Sequence, residues 1–159
     1  MEGKEKPMEE IHFVGKEEEL IEAKRSFRTI GDRDILIIYQ KETFYAIDSY
    51  CHHAGSLLQN GDIEDIDGRW CIICPKHKYT ISLNNGESLL KIINKREDPP
   101  VTTWFSRGVK QRVHNVRVIN GEVYVEISKD PGRLESDFFQ GEKGKVERAK
   151  AQADKNKDT

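Results

Sequence analysis

All three cysteines and three of the five histidines of this 159-residue chain fall between residues 51 and 80, in CHHAGSLLQNGDIEDIDGRWCIICPKHKYT. Cys51 and His53 form a C-x-H pair, Cys74 and His77 a C-x-x-H pair, and twenty residues lie between His53 and Cys74. Each pair offers one thiolate and one imidazole. Two such pairs side by side can give both sulfurs to one iron and both imidazoles to its neighbour, the ligand set of a [2Fe-2S] centre of mixed ligation. The same four side chains match in number the tetrahedral Cys2His2 preference of one structural zinc, and Cys71 extends the second pair to a C-x-x-C-x-x-H run that offers an alternative ligand. Zinc motifs usually pair like ligands at short spacing, whereas each pair here mixes Cys and His, so the two-iron reading is favoured. Three cysteines cannot all pair internally, and their clustering with histidine points to metal or redox chemistry rather than to a disulfide framework.

The neighbouring residues are read more plainly. His52 is one position too early for the C-x-H spacing and is expected to be a solvated neighbour. Cys71 alternates in phase with Ile73 on the strand-like run RWCII and reads as a buried apolar thiol. His12 and His114 lie in strand-like runs and need no function. Lys76 and Lys78 are either solvated charges or a contact for an acidic partner. Exchanging two thiolates for neutral imidazoles leaves a less negative centre that accepts an electron more easily. Each imidazole also keeps a second ring nitrogen, which links electron gain to proton gain.

These pairs must be carried on loops, because Ala54-Gly55 follows the first and Pro75 sits inside the second. Short strands flank them. SFRTI, DILIIYQ and TFYAIDSY are rich in β-branched and aromatic residues, with turns at Gly31-Asp32 and Lys41-Glu42. QRVHNVRVI and EVYVEIS are separated by Asn120-Gly121, a strong hairpin signal. Residues 16–23, KEEELIEA, predict a helical turn or two. An all-β, antiparallel domain is therefore expected over residues 11–128. Residues 1–10 read as a flexible N-terminus, and residues 129–159 as a charged tail, disordered or frayed helical, whose EKGKVERAKAQADKNKDT has almost no apolar stripe. A chain ended near Ser128 is accordingly expected to keep its core and its centre. The formal net charge of -2 argues against nucleic acid as a partner. Outside the Cys/His stretch the longest apolar run is ILIIY, too short for a signal peptide or membrane anchor, so an intracellular, soluble, cytoplasmic protein is expected.

FYAIDSYCHHAGSLLQNG, CPKH and the closing NGEVYVEI, in that order and set among short strands, resemble the Rieske-type [2Fe-2S] ferredoxins over roughly residues 11–128. The resemblance implies one cluster per chain, with Cys51 and Cys74 on the inner iron and His53 and His77 on the outer, solvent-facing iron. It implies an antiparallel β-sandwich or barrel-like base with a small cluster-binding subdomain inserted into it. Several positions depart from the wider pattern. Ser56 and Lys76 stand where respiratory Rieske proteins have disulfide cysteines, and Tyr79 and Ile81 stand where those relatives place hydroxyl groups near the cluster sulfurs. Lys78 replaces a frequent glycine.

The function expected is one-electron transfer from a flavoprotein reductase to an oxygenase-like or other acceptor. A complete oxygenase would also need a mononuclear iron held by two histidines and a carboxylate, and His12, His52 and His114 are the only histidines left, with no second domain to bury a substrate. A redox sensor governed by cluster state, and the structural zinc module, are the alternatives.

Overall fold

A computed structural model describes residues 11–129 and 132–157, with 151–157 described by backbone alone. The expected flexible N-terminus, residues 1–10, lies outside the described residues. Eleven strands and two α-helices follow in order among these residues: β1 (Ile11–Lys16), α1 (Glu17–Ala23), β2 (Arg25–Ile30), β3 (Arg33–Gln40), β4 (Thr43–Asp48), β5 (Asp62–Ile66), β6 (Arg69–Ile73), β7 (Thr80–Ser82), β8 (Glu87–Asn94), β9 (Val101–Val109), β10 (Val113–Ile119), β11 (Glu122–Glu126) and α2 (Glu142–Lys157).

The strands make two antiparallel sheets. One has the order β1-β11-β10-β4-β3-β2, the other β5-β6-β7-β8-β9. The second sheet is built wholly from chain inserted between β4 and β10, so the expected base with an inserted subdomain is what the fold contains. The tight turns follow the sequence signals. Asn120 and Gly121 have φ of 50° and 80°, and Lys41 and Glu42 of 48° and 66°, so both turns have two residues in the left-handed region that suits the twist of the flanking strands. Among the described residues no helix is long and apolar enough to cross a membrane.

The hydrophobic run of β3 explains where the core sits. A strand buried on both faces needs apolar residues at every position, and β3 has Ile35, Leu36, Ile37 and Ile38, all almost fully buried. Leu36 and Ile38 face a cluster with Ile47, Leu58, Ile72, Ile81 and Leu83. Ile35 and Ile37 face the other way, onto Val14, Leu20 of α1, Val123 and Val125. Cys51 and Cys74 belong to the first of these clusters and sit at the end of the core that joins the two sheets.

One expectation is corrected. The segment after Arg133 does bury surface: Leu134 and Phe139 are 7% and 6% exposed, and Ser136 is fully buried. A 3-10 segment, Glu135–Gln140, lies against the domain and leads into α2. The Ser136 hydroxyl donates to Asp48 at 2.9 Å and accepts from the Arg112 N–H at 2.9 Å. Asp137 pairs with Arg112 at 2.8 Å and Arg33 at 3.1 Å. The Gln140 amide bonds both backbone groups of Asp34. The expectation weighed the charged run from Glu142 onward, whereas the apolar anchors lie just before it, in LESDFFQ. A chain ended near Ser128 would leave Asp48 and Arg112 short of buried partners.

Candidate metal centre

The two ligand loops open from adjacent strand ends. The first follows β4, and the second joins β6 to β7. They approach each other closely at Gly61, where an added Cβ would lie 2.4 Å from the Ile73 carbonyl oxygen, just before Cys74. Only glycine fits there without moving one loop off the other.

In the first loop the Gly55 N–H donates to the Cys51 carbonyl and the Cys51 N–H to the Ser56 carbonyl, each at 2.8 Å. In the second the Lys78 N–H donates to the Cys74 carbonyl at 2.9 Å and the Cys74 N–H to the Tyr79 carbonyl at 2.8 Å. The loops are thus near copies, each a tight turn beginning at a cysteine. Each also aims backbone N–H groups at its sulfur: those of His53 and Ala54 at Cys51, and those of His77 and Lys76 at Cys74. Amide donors around a sulfur favour the thiolate, the form that binds metal.

Both cysteines are 1% exposed and free. The two buried thiols interact: the neighbouring Cys74, reinforced by burial, pushes the Cys51 thiol up, and the neighbouring Cys51 holds Cys74 below the ordinary thiol range against the opposing effect of burial. Outward of this pair, His53 and His77 are exposed, with ring centroids 4.9 Å apart at 87°. The His53 ring stacks on Tyr79 at 4.2 Å and 18°. Its partial desolvation, then the nearby His77 and Arg107, lower its pKa from the usual histidine value.

The four predicted residues therefore come together as two sulfurs inside and two imidazoles outside. The two-and-two division fits a [2Fe-2S] group, with the thiols on its buried side and the imidazoles on its exposed side. Two buried polar atoms of the first loop, His52 Nε2 and Ser56 Oγ, have no hydrogen-bond partner. His52 is not the solvated neighbour its position suggested: its ring is half-buried, edge-on to Tyr79 at 5.4 Å, and burial lowers its pKa to about 4. Cys71 lies apart, fully buried with Ile66 and Leu89, and burial raises its thiol to about 11.

Three features of the site escaped the sequence. Gln111 is fully buried, and its amide donates to the Asp48 carbonyl at 3.0 Å and the Tyr50 carbonyl at 2.7 Å while its oxygen accepts from the His52 N–H at 2.9 Å. It thereby grips the chain on both sides of Cys51. The Arg107 guanidinium lies 5.2 Å from the Tyr79 ring centre, on the loop system that supports His53. The C-terminal segment walls one side of a cleft of about 940 Å³ whose other side carries His53, Lys76 and His77. Phe139 and Arg148 press on Gly55, and Arg148 lies over the Tyr50 ring at 3.9 Å. No pattern marks a lone Gln or Arg, but the Phe138-Phe139 doublet was a legible sign of burial.

Residues 12–130 match the family profile described as soluble Rieske-type ferredoxin. A human Rieske domain-containing protein is 44% identical over 126 residues, covering 79% of this chain and 80% of that protein. Among solved structures, the ferredoxin of carbazole 1,9a-dioxygenase from Nocardioides aromaticivorans is similar with a TM-score of 0.55 at 16% identity, over 74% of this chain and 98% of that one. A putative NADH-dependent nitrite reductase small subunit from Mycobacterium tuberculosis gives 0.55 at 16% identity, over 72% and 92%. With its profile match spanning most of the described strands, the chain belongs to the soluble Rieske-type ferredoxin family.

Proposed function

We propose that this protein is a one-electron carrier, and that Cys51 and Cys74 hold the inner iron and His53 and His77 the outer iron of a [2Fe-2S] cluster. The observation that carries the reading is the division of the four residues into a buried thiol pair and an exposed imidazole pair. Bound there, the cluster supplies a one-electron couple at a higher potential than an all-cysteine cluster of the same type.

This chain's own residues perform the rest. The amides of His53, Ala54, Lys76 and His77 hold the thiolates. The hydrophobic cluster of Leu36, Ile38, Ile72 and Ile81 keeps water from the sulfur side. Tyr79 holds the plane of the His53 ring, so the exposed imidazoles form the shortest way in and out for an electron. An intracellular, reducing location agrees with three free cysteines.

The partners are redox proteins. An NAD(P)H-linked flavoprotein reductase is the donor and an oxygenase-like protein the acceptor, by analogy with relatives named for carbazole dioxygenase and NADH-dependent nitrite reductase systems. Tyr79 and Ile81 stand where hydroxyl donors to the sulfurs are found in other Rieske proteins, and a potential toward the lower end of the range of about -150 to +300 mV is the expected result. Anaerobic purification, a visible spectrum and EPR after reduction test the centre, and a redox titration tests the potential. A colourless, zinc-loaded protein would sink the proposal.

A further inference from the structure

We infer that the face around His53 and His77 is a positively charged docking surface, built for a redox partner that presents carboxylates. The inference rests on the carrier reading above and adds the chemistry of the partner.

Four cations surround the outer imidazoles. Lys78 is exposed and directly follows His77. Its φ of 61° belongs to the tight turn that carries His77, so its backbone position is set by the ligand loop itself. Arg107 is exposed and reaches across from β9 to lie over Tyr79, whose ring is stacked on His53. Lys76 and Arg133 line the cleft beside His53 and His77 from its two walls.

Glu135 and Glu147, the carboxylates that line the cleft, are each matched by another lysine, and neither pairs with Lys78, Arg107 or Arg133. Glu135 is held by Lys110 at 2.6 Å, and Glu147 lies 3.6 Å from Lys150. Each pair is close to neutral. The whole chain has a formal charge of -2, so removing the four positive charges leaves -6 for the remainder. A chain of net negative charge thus carries a local group of cations at the imidazoles. A partner steered by such a field arrives with the two outer ligands facing it, and one with an acidic surface is selected over a basic one. Both loops contribute: Lys76 and Lys78 come from the second, while Arg107 acts next to the first through Tyr79. The site also explains why a chain of net negative charge keeps lysine at two positions of CPKHK.

Small oxidants of opposite charge read the local field directly. The cluster-loaded protein is reduced and mixed in stopped flow with hexacyanoferrate(III), an anion, or tris(1,10-phenanthroline)cobalt(III), a cation, across a salt series that takes the Debye length from about 30 Å to about 3 Å. The expected result is that the rate with the anion falls severalfold as salt rises, and the rate with the cation rises. Poly-L-glutamate at low salt should slow the anion's reaction by occupying the face. Lys78→Glu with Arg107→Glu should cut the anion's rate at low salt about tenfold and flatten its salt dependence. Lys78→Gln with Arg107→Gln, which removes charge without adding any, should give an intermediate loss. Lys41→Glu, on the β3–β4 turn at the far end of β4, should change the rate less than about twofold.

An anion rate that rises with salt, as the net charge alone dictates, would overturn the inference. So would equal effects of the Lys41 and Lys78/Arg107 changes, or indifference to poly-L-glutamate. Absorbance before mixing separates the two claims: a missing cluster spectrum refutes the carrier reading and this inference together, whereas a normal spectrum with the wrong salt dependence refutes the docking surface alone.

Discussion

The first ligand loop, from Cys51 to Gly61, is held by side chains from three distant parts of the chain, while the second, from Cys74 to Tyr79, closes on its own backbone. Arg25 of β2 donates to the Gln59 and Gly61 carbonyls at 2.8 and 2.6 Å. Gln111 grips the chain at Asp48, Tyr50 and His52, and Phe139 and Arg148 cover Gly55 from outside. The second loop joins two paired strands, β6 and β7, so its ends are already fixed and two backbone bonds complete it. The first loop runs between strands of different sheets and has only the isolated Tyr50–Leu57 bridge and the Leu58 N–H to Ser49 carbonyl bond at its base, so more of its ordering entropy must be offset by contacts made elsewhere. Two cysteine turns of the same local form thus depend on very different amounts of the protein.

The largest expected effect joins the loops. Replacing Cys51, Cys74, His53 or His77 by Ala should abolish or cripple the visible spectrum, because each is a proposed iron ligand, while Cys71→Ser and His52→Ala should leave it largely intact. A colourless but folded Cys71→Ser protein would break the pairing of the loops.

Ending the chain after Ser128 comes next. It removes buried Leu134 and Phe139 and leaves Asp48 and Arg112 short of partners, a loss of about 4 kcal/mol or more in urea denaturation. Unchanged stability would show that the first loop needs no brace from the C-terminal segment.

Gln111→Leu should cost about 2 to 3 kcal/mol, since two carbonyls and one N–H lose their buried partner. Its sharper readout is hydrogen exchange, expected to rise across residues 50–58 and to stay constant across 74–79. Equal acceleration in both loops would erase the distinction between them.

The smallest effect is in acid. Burial alone would raise the Asp137 carboxyl, but hydrogen bonds from Arg112 and the Leu134 N–H, with the charges of Arg112 and Arg33, bring it down to about 2. A depressed carboxyl stabilises the fold fully above its unfolded pKa and loses that contribution as pH falls through its folded value. Stability should therefore drop by about 2 kcal/mol between about pH 4 and pH 2, and Asp137→Asn should remove that part of the slope. A variant with the wild-type acid profile would show that Asp137 does not hold the C-terminal segment against the first loop.

Much of the site was legible because its chemistry is local. A C-x-H and a C-x-x-H pair state their ligand types and spacing within a few residues, and Asn120-Gly121 states a hairpin. The braces were not legible, because Gln111 and Arg107 carry no pattern and work through residues far away in sequence. Lys76 and Lys78 were visible as charges, but only Arg107 and Arg133 beside them make a surface. The C-terminal segment misled for a related reason: its mean composition is set by charged α2, whereas its attachment depends on Leu134, Ser136 and Phe139 alone.

Local sequence was enough for the turn-forming ligand pairs, the alternation and turns of the strands, and the apolar run of β3. These depend on backbone preference and on side-chain periodicity, which act over a few residues. Long-range packing set the rest: the two pairs meet with sulfurs inward and imidazoles outward, Gln111 and the C-terminal segment steady one loop and not the other, and scattered cations gather at the exposed end. Those outcomes depend on which distant groups share buried space, where an unmatched polar atom is costly and a packed ring or guanidinium is not.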